Sequence, residues 1–508
     1  MRRTSVLGAA LLVTLAGCGE KNAEPERTRA LRVTVELPGQ QPLPGPNDDP
    51  LPLPLGEVEL LFNVEALKSD GSRDATFDGF ARVSAVPGAV VSVSGERASG
   101  RNVLLLKGTS DPDDGANPEH AKWPHVFVRN ARGATRIWAE DVGYNPADPA
   151  DPQKLPRCAD GKDDDGDGLT DFPRDPGCAF ANDDTETPGS YAAGVSKPIR
   201  FELPRIGDVQ GRGANGPYEL ESVEVATKTP KAEPAELIVT RIAADGFYVT
   251  DTTDLLGYNH IFAFTFSTPP FLRVCDRITK LSGTATEFFG FTELSFPAFE
   301  RHAWVFPTQA GAGDGPCLVP DPKLIPPEGA DDAPLLEKLE SALVRVENVT
   351  VGEFFGPEPA KGGFSANSSN CDLDGSGFID FTTVGSNEAL CANACVLEPN
   401  CVEWTGFISR GNYRVVLPGA KTIQINTRSI SGMNPQDMRG KPIASVTGTL
   451  RNFSGGDLNW TIEARCGADL VCDEPSQKAC AEGPKAPVST QIACVFPRTA
   501  DDPNEGTN

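Results

Sequence analysis

Along the chain, apolar and polar residues alternate in short runs. Leu31, Val33, Val35 and Leu37 alternate with polar residues, the period of a strand with one buried face. Val58 to Val64, Ala81 to Val86, Ala89 to Ser94, Val103 to Leu106, His125 to Val128 and Thr135 to Ala139 continue the pattern. Turn signals such as Ser69-Asp70-Gly71 and Pro87-Gly88 separate them. About seven strands in roughly a hundred residues fit a β-sandwich. Long amphipathic helical patterns are scarce, so the chain is expected to be mostly β.

Further along, the pattern repeats at an offset of 165. Gly246-Phe-Tyr-Val249 recurs as Gly411-Asn-Tyr-Arg-Val415, and Asp276 to Gly290 matches Lys441 to Gly455 without a gap. Ile, Gly, Thr, Phe and Gly coincide in the longer match. Two copies of one small β domain are the simplest account. A strand-like run precedes each copy, Leu237 to Ile242 in the first and Leu343 to Val351 in the second. The second run lies far upstream of its copy, so residues 353–405 read as an insertion.

Composition sharpens this picture. The 508 residues hold 51 Gly and 45 Pro, and the net charge is −25. An acidic surface suits a soluble exported protein and divalent cations, and opposes tight nucleic-acid binding. Residues 405–465 stand apart, with eight Lys and Arg against Asp437, Asp457 and Glu463, a local +5. Of 13 Cys, setting Cys18 aside leaves 12, in local groups: 158 and 178; 275 and 317; 371, 391, 395 and 401; 466, 472, 480 and 494. An oxidising compartment makes these disulfides. Cys158 and Cys178 stand alone around an acidic loop and are expected to pair. Connectivity inside each group of four stays open. Zinc is disfavoured, because the chain has 4 His and no paired Cys-x-x-Cys sites.

The first residues carry Arg2 and Arg3, an apolar run from Val6 to Ala16, and Leu15-Ala16-Gly17-Cys18. That layout is a secretory signal, too short to span a bilayer. It resembles the bacterial lipoprotein signal. The resemblance implies cleavage before Cys18, a diacylglyceryl thioether on its sulfur and an acyl chain such as palmitate on the new N-terminus. Gly19, where Asp would favour inner-membrane retention, suggests the outer membrane.

The strongest chemical motif is Asp163-Asp164-Asp165-Gly166-Asp167-Gly168-Leu169-Thr170-Asp171. Ca²⁺ takes six to eight oxygens, and a tight Gly-turned loop aims alternate side chains and one carbonyl inward. Asp163, Asp165 and Asp167 are expected to give carboxylates, Leu169 its carbonyl, and Asp171 a direct or water-mediated contact. Position twelve is Arg174, not the Glu of an EF-hand. The loop resembles thrombospondin type 3 and dockerin-type loops, which implies that Asp175 closes the shell. A second loop, Asp372, Asp374, Ser376, Phe378 and Asp380, has the same spacing and fewer charges. The rival reading of each loop is a flexible acidic linker or a turn.

The repeated segment carries a second resemblance. Leu-Ile-Val-Thr-Arg-Ile, Gly-Phe-Tyr-Val-Thr-Asp, Ile-Phe-Ala-Phe, Cys-Asp-Arg-Ile and Gly-Thr-Ala-Thr-Glu-Phe-Phe-Gly-Phe-Thr-Glu-Leu294 resemble the OB-fold domains ahead of the catalytic domain in extracellular bacterial nucleases. Trp460-Thr-Ile-Glu-Ala-Arg465 closes the second copy in a similar way. The chain departs by one extra residue in each copy, which a β-bulge absorbs, and by having no catalytic domain after Arg465.

The expected architecture is a signal at 1–17, a tether at 18–30 and an immunoglobulin-like sandwich at 31–145. A disulfide-bracketed calcium loop at 146–198 follows, then OB-like barrels at 199–320 and 321–466 and a Cys-rich tail at 467–508. No Gly-x-Ser-x-Gly, His-Glu-x-x-His or phosphate-binding loop occurs. The reading is a non-enzymatic, calcium-stabilised surface lipoprotein that binds or displays an unknown ligand. Its rivals are a nucleic-acid-binding accessory of extracellular nucleases, a carbohydrate or matrix adhesin, and an unfamiliar hydrolase. OB folds bind oligomers on one barrel face. The candidate aromatics are Phe247, Tyr248, Phe262, Phe264, Phe288, Phe289, Tyr413 and Trp460, about half of which alternation places in the core.

Overall fold

The computed structural model describes residues 29–352, 411–452 and 460–472, apart from 40, 118, 144–154, 179–180, 184, 187–190, 214, 229–235, 306–312, 431–432, 434 and 439. Cys18 and the loop from Asp372 to Asp380 lie outside the described residues. Among the described residues, no helix is long and apolar enough to cross a membrane. The chain divides into two compact units. The first takes in the chain up to Gly45, Gly56–Ala131 and Thr135–Ile199; the second takes in Pro46–Leu55, Arg132–Ala134 and the chain from Arg200 on.

In the first unit every strand-like run of the sequence is a strand. They are β1 (Ala30–Glu36), β2 (Val58–Leu67), β3 (Gly79–Val86), β4 (Ala89–Ser94), β6 (Asn102–Leu105), β7 (His125–Arg129) and β8 (Ala134–Asp141); the two-residue β5 (Ala98–Ser99) has no counterpart among those runs. One sheet runs β1-β2-β7-β4, and the other runs β8-β3-β6-β5 with the short β9 (Gly194–Val195) and β10 (Ile199–Arg200) on β8. Alternation sets the faces: Leu31, Val33 and Val35 on β1, and Val103 and Leu105 on β6, are buried, while their neighbours reach the surface. Burying each such side chain contributes roughly 1.5–3 kcal/mol.

The second unit holds two closed five-stranded barrels. A short helix α1 (Ile206–Gln210) leads into β11 (Ser222–Glu224), β12 (Leu237–Ile242), β13 (Gly246–Asp251), β14 (His260–Phe264), β15 (Arg277–Glu287) and β16 (Thr292–His302). The sheet passes β12-β13-β14-β16-β15 and closes where β15 pairs back onto β12; β14 and β16 are parallel. After β17 (Lys323–Leu324) and α2 (Ala333–Lys338), the order recurs in β18 (Leu343–Val351), β19 (Asn412–Leu417), β20 (Lys421–Asn426), β21 (Pro442–Arg451) and β22 (Thr461–Glu463), with β23 (Leu470–Val471) on β21. Here β20 and β22 are the parallel pair, and β21 closes onto β18. This is the strand order of OB-like barrels, and the internal repeat maps β13 onto β19 and β15 onto β21. Bulges at Ile278/Lys280 and Ser282/Thr284 interrupt the first barrel's β15–β16 ladder.

Barrel strands are buried on both faces, which hides their alternation. On β12, Leu237 and Val239 point into the barrel core, while Ile238 packs outside with Trp304, Leu343 and the Cys275–Cys317 disulfide. On β13 and β14, Phe247, Val249, Ile261 and Ala263 face inward, whereas Tyr248 and Phe262 face outward onto Phe291. The second barrel covers that outer face. The Arg451 guanidinium lies 5.1 Å from the Phe262 ring centre and 5.0 Å from that of Phe291, and Arg241 Nη1 donates to Glu463 Oε2 at 2.7 Å.

Candidate metal centre

The acidic loop belongs to the first unit and is anchored at both ends. Cys158 and Cys178 form a disulfide, as expected. Downstream, Tyr191 donates its hydroxyl to Asp74 Oδ2 (2.8 Å), and the Leu31 backbone N–H donates to the Ala192 carbonyl (2.9 Å).

Within the loop the carboxylates order the backbone. Asp163 accepts from the N–H groups of Gly166 (2.7 Å) and Gly168 (2.9 Å), Asp165 from Asp167 N–H (3.0 Å), and Asp167 from Leu169 N–H (2.7 Å). Gly166 and Gly168 turn the chain at φ of +83° and +90°, a region side chains disfavour. The result brings oxygens of Asp163, Asp165 and Asp167 within 4.8 Å of one another. Three like charges so close repel, and a cation between them reverses the sign of the interaction.

Asp175, twelve residues beyond Asp163, is 2% exposed. Its Oδ1 accepts from Gly177 N–H at 2.6 Å, but its Oδ2 has no hydrogen-bond partner among the described residues. Burial is the main influence pushing its carboxyl above the usual range; the Gly177 bond opposes this, and Asp167, Glu186 and Asp165 add to it. A buried acceptor without a donor is costly. A bound cation beside the Asp165 and Asp167 carboxylates removes that cost.

Glu186 completes the arrangement and carries no signal in the sequence motif. It is buried, its Oε2 accepts from Asp164 N–H, and its Oε1 accepts from Asp171 N–H at 3.3 Å. One side chain thus fastens both limbs of the loop. It reaches them because Gly177 lets the backbone of Glu186 approach: a Cβ on Gly177 would lie 1.6 Å from the Glu186 carbonyl oxygen. The Asp175 and Glu186 carboxylates lie within 4.8 Å of each other and of the Cys178 sulfur, which its disulfide removes as a ligand.

The remaining sequence candidates divide. Asp171 accepts from Gly161 N–H (3.0 and 3.2 Å) and stands outside the three-carboxylate cluster. Leu169 exposes its side chain, consistent with a residue that contributes only through its backbone. Elsewhere in the first unit, a further acidic turn is closed on itself: Asp111 accepts from the N–H groups of Asp113 and Gly115, and Asp113 pairs with Lys122 at 2.6 Å. The donor set at 163–175 is all oxygen, which suits a hard cation.

Among the described residues of the barrels, most of the candidate aromatics are buried. Phe247, Tyr248, Phe262, Tyr413 and Trp460 are buried; Phe288 and Phe289 are exposed at the β15–β16 turn. Arg414 is buried, and Arg465 is paired with Asp469 at 2.8 Å. Lys421 pairs with Asp331. His260 is buried on β14, with Thr250 Oγ1 2.8 Å from its Nδ1. Comparison with protein families, with curated proteins and with solved structures finds no match.

Proposed function

We propose that this chain is a non-enzymatic binding and display module, stabilised by Ca²⁺ and held at the outer membrane by lipid on Cys18. The observation that carries the cation reading is the unpartnered, buried Oδ2 of Asp175, whose carboxyl feels the charges of Asp167, Glu186 and Asp165. In this reading Asp163, Asp165, Asp167 and Asp175 hold the ion, with the Leu169 carbonyl and a water on Asp171 completing a shell of hard oxygens. Glu186 and the Cys158–Cys178 disulfide preset the loop, which lowers the ordering cost of binding. The immunoglobulin-like sandwich serves as spacer, and the OB-like barrels present the surface for the ligand.

Nucleic-acid binding draws less support, because Arg451, Arg465 and Lys421 are engaged within the protein. The lipid anchor rests on the Leu15-Ala16-Gly17-Cys18 sequence.

Two measurements test the proposal. Titration calorimetry of the mature chain should show Ca²⁺ uptake that Asp165→Ala with Asp167→Ala removes at the first loop. Cys18→Ala should move the protein out of the detergent phase. A wild-type chain that binds no Ca²⁺ at millimolar concentration, or a Cys18→Ala protein that partitions unchanged, sinks the corresponding half of the proposal.

A further inference from the structure

We propose that Glu340 and Gln210 form a cyclic acid–amide pair, in which a proton kept on Glu340 Oε2 bonds to Gln210 Oε1 and locks the two barrels together more firmly in acid. Gln210 ends α1, ahead of the first barrel, and Glu340 follows α2, ahead of the second. Both are fully buried, at 1% and 0% exposure. Gln210 Nε2 donates to Glu340 Oε1 at 3.0 Å, and the backbone N–H of Thr292, the first residue of β16, donates to the same oxygen at 3.0 Å. The other atom of each planar group, Gln210 Oε1 and Glu340 Oε2, is buried and has no partner among the described residues. Two orphaned acceptors in one hydrogen-bonded pair need one donor between them. In the proposed pair a single proton on the carboxyl supplies it and closes a two-bond ring.

The surroundings favour that proton. Burial acts most strongly on Glu340, and Glu337 of α2 and Glu287 at the end of β15 face it with like charge; together they outweigh the bond from Thr292 and hold the carboxyl well above the usual range. Glu337 is itself pushed up to about 7 by burial and Glu287, and Glu287 is raised by burial and by Glu219. Lys338, the cation next along α2, lies with its side-chain carbons against Gly257. The sign follows from linkage. The unfolded carboxyl ionises near 4.5 while the folded one keeps its proton, so the lock is complete below pH 4.5 and weakens as pH rises towards the raised folded value.

The test compares the mature wild-type chain with Glu340→Gln. The introduced amide donates to Gln210 Oε1 where the proton did, and still accepts from Gln210 Nε2. The ratio of folding constants, variant over wild type, should rise about tenfold per pH unit above 4.5 until the folded carboxyl ionises. Infrared difference spectra of the native wild type at pH 7 should show a protonated carboxyl band that Glu340→Gln removes and Glu337→Gln leaves. No such band, or a ratio of folding constants that does not rise with pH above 4.5, overturns the proposal. So does loss in Glu340→Gln of a stabilisation by divalent cations, which would assign these oxygens to a metal. The infrared measurement on wild type decides even if the variant folds poorly.

Discussion

Asp175→Asn separates a cation ligand from a merely structural aspartate. Asn keeps the size of the side chain, can still accept from Gly177 N–H through its amide oxygen, and removes the charge at the position of the unpartnered Oδ2. With Ca²⁺ at a hundredfold excess over its dissociation constant, binding stabilises the folded wild type by about 2.7 kcal/mol. If loss of one buried carboxylate weakens binding on the order of a hundredfold, the same Ca²⁺ concentration then contributes only about 0.4 kcal/mol. The variant should therefore be less stable by about 2.3 kcal/mol in calcium. For a unit of this size that lowers the melting temperature by roughly 5–9 °C. In chelator the order should reverse or vanish. There the wild-type carboxylate is buried, lacks a partner and faces Asp167, Glu186 and Asp165, whereas the amide carries no charge. Scanning calorimetry of the mature chain in calcium and in chelator reads both differences. An equal deficit in the two buffers refutes the reasoning and leaves Asp175 as a turn residue.

Three further outcomes are expected. His260 is buried and its imidazole is pushed down to about 3, chiefly by burial and then by the charge of Lys323. A depressed folded value means stability present above pH 6.5 and lost as pH falls towards 3, at up to roughly 1.4 kcal/mol per unit. His260→Asn should therefore unfold less steeply than wild type across that window, and parallel curves would count against it. Replacing Cys158 and Cys178 together with Ser should cost about 3 kcal/mol, from the loop their bond closes; limited proteolysis that is unchanged between 158 and 178 contradicts this. Glu463→Ala leaves the buried Arg241 and Arg451 without their shared carboxylate and should cost about 3–5 kcal/mol by denaturant midpoint. A loss under about 1 kcal/mol would show the network to be screened.

Much of this molecule is written in local pattern. The alternation from Leu31 to Ala139 marks the strands of the first unit, because a strand's two faces differ in burial and successive side chains alternate between them. The offset of 165 marks the two barrels, since matching turns and strand ends recur where the same fold recurs. Asp163, Asp165 and Asp167 come together because a Gly-turned loop of nine residues needs no distant partner to do so. Other features depend on residues far apart in sequence. Barrel closure depends on β14 meeting β16 in parallel and β15 returning to β12, and neither pairing leaves a mark in periodicity. Tyr248 and Phe262 read as candidate ligand-stacking aromatics, yet the second barrel covers them, so they are core. Arg414, Arg451 and Arg465 contribute to the local +5 of residues 405–465, yet burial and ion pairs hold them inside the fold. Glu186 fastens the acidic loop, and Glu340 meets Gln210 across 130 positions of chain. Local spacing determines which side chains share a face or a turn. Only the packed fold decides which faces are covered, and so which polar atoms lose water and must find a partner, a proton or an ion.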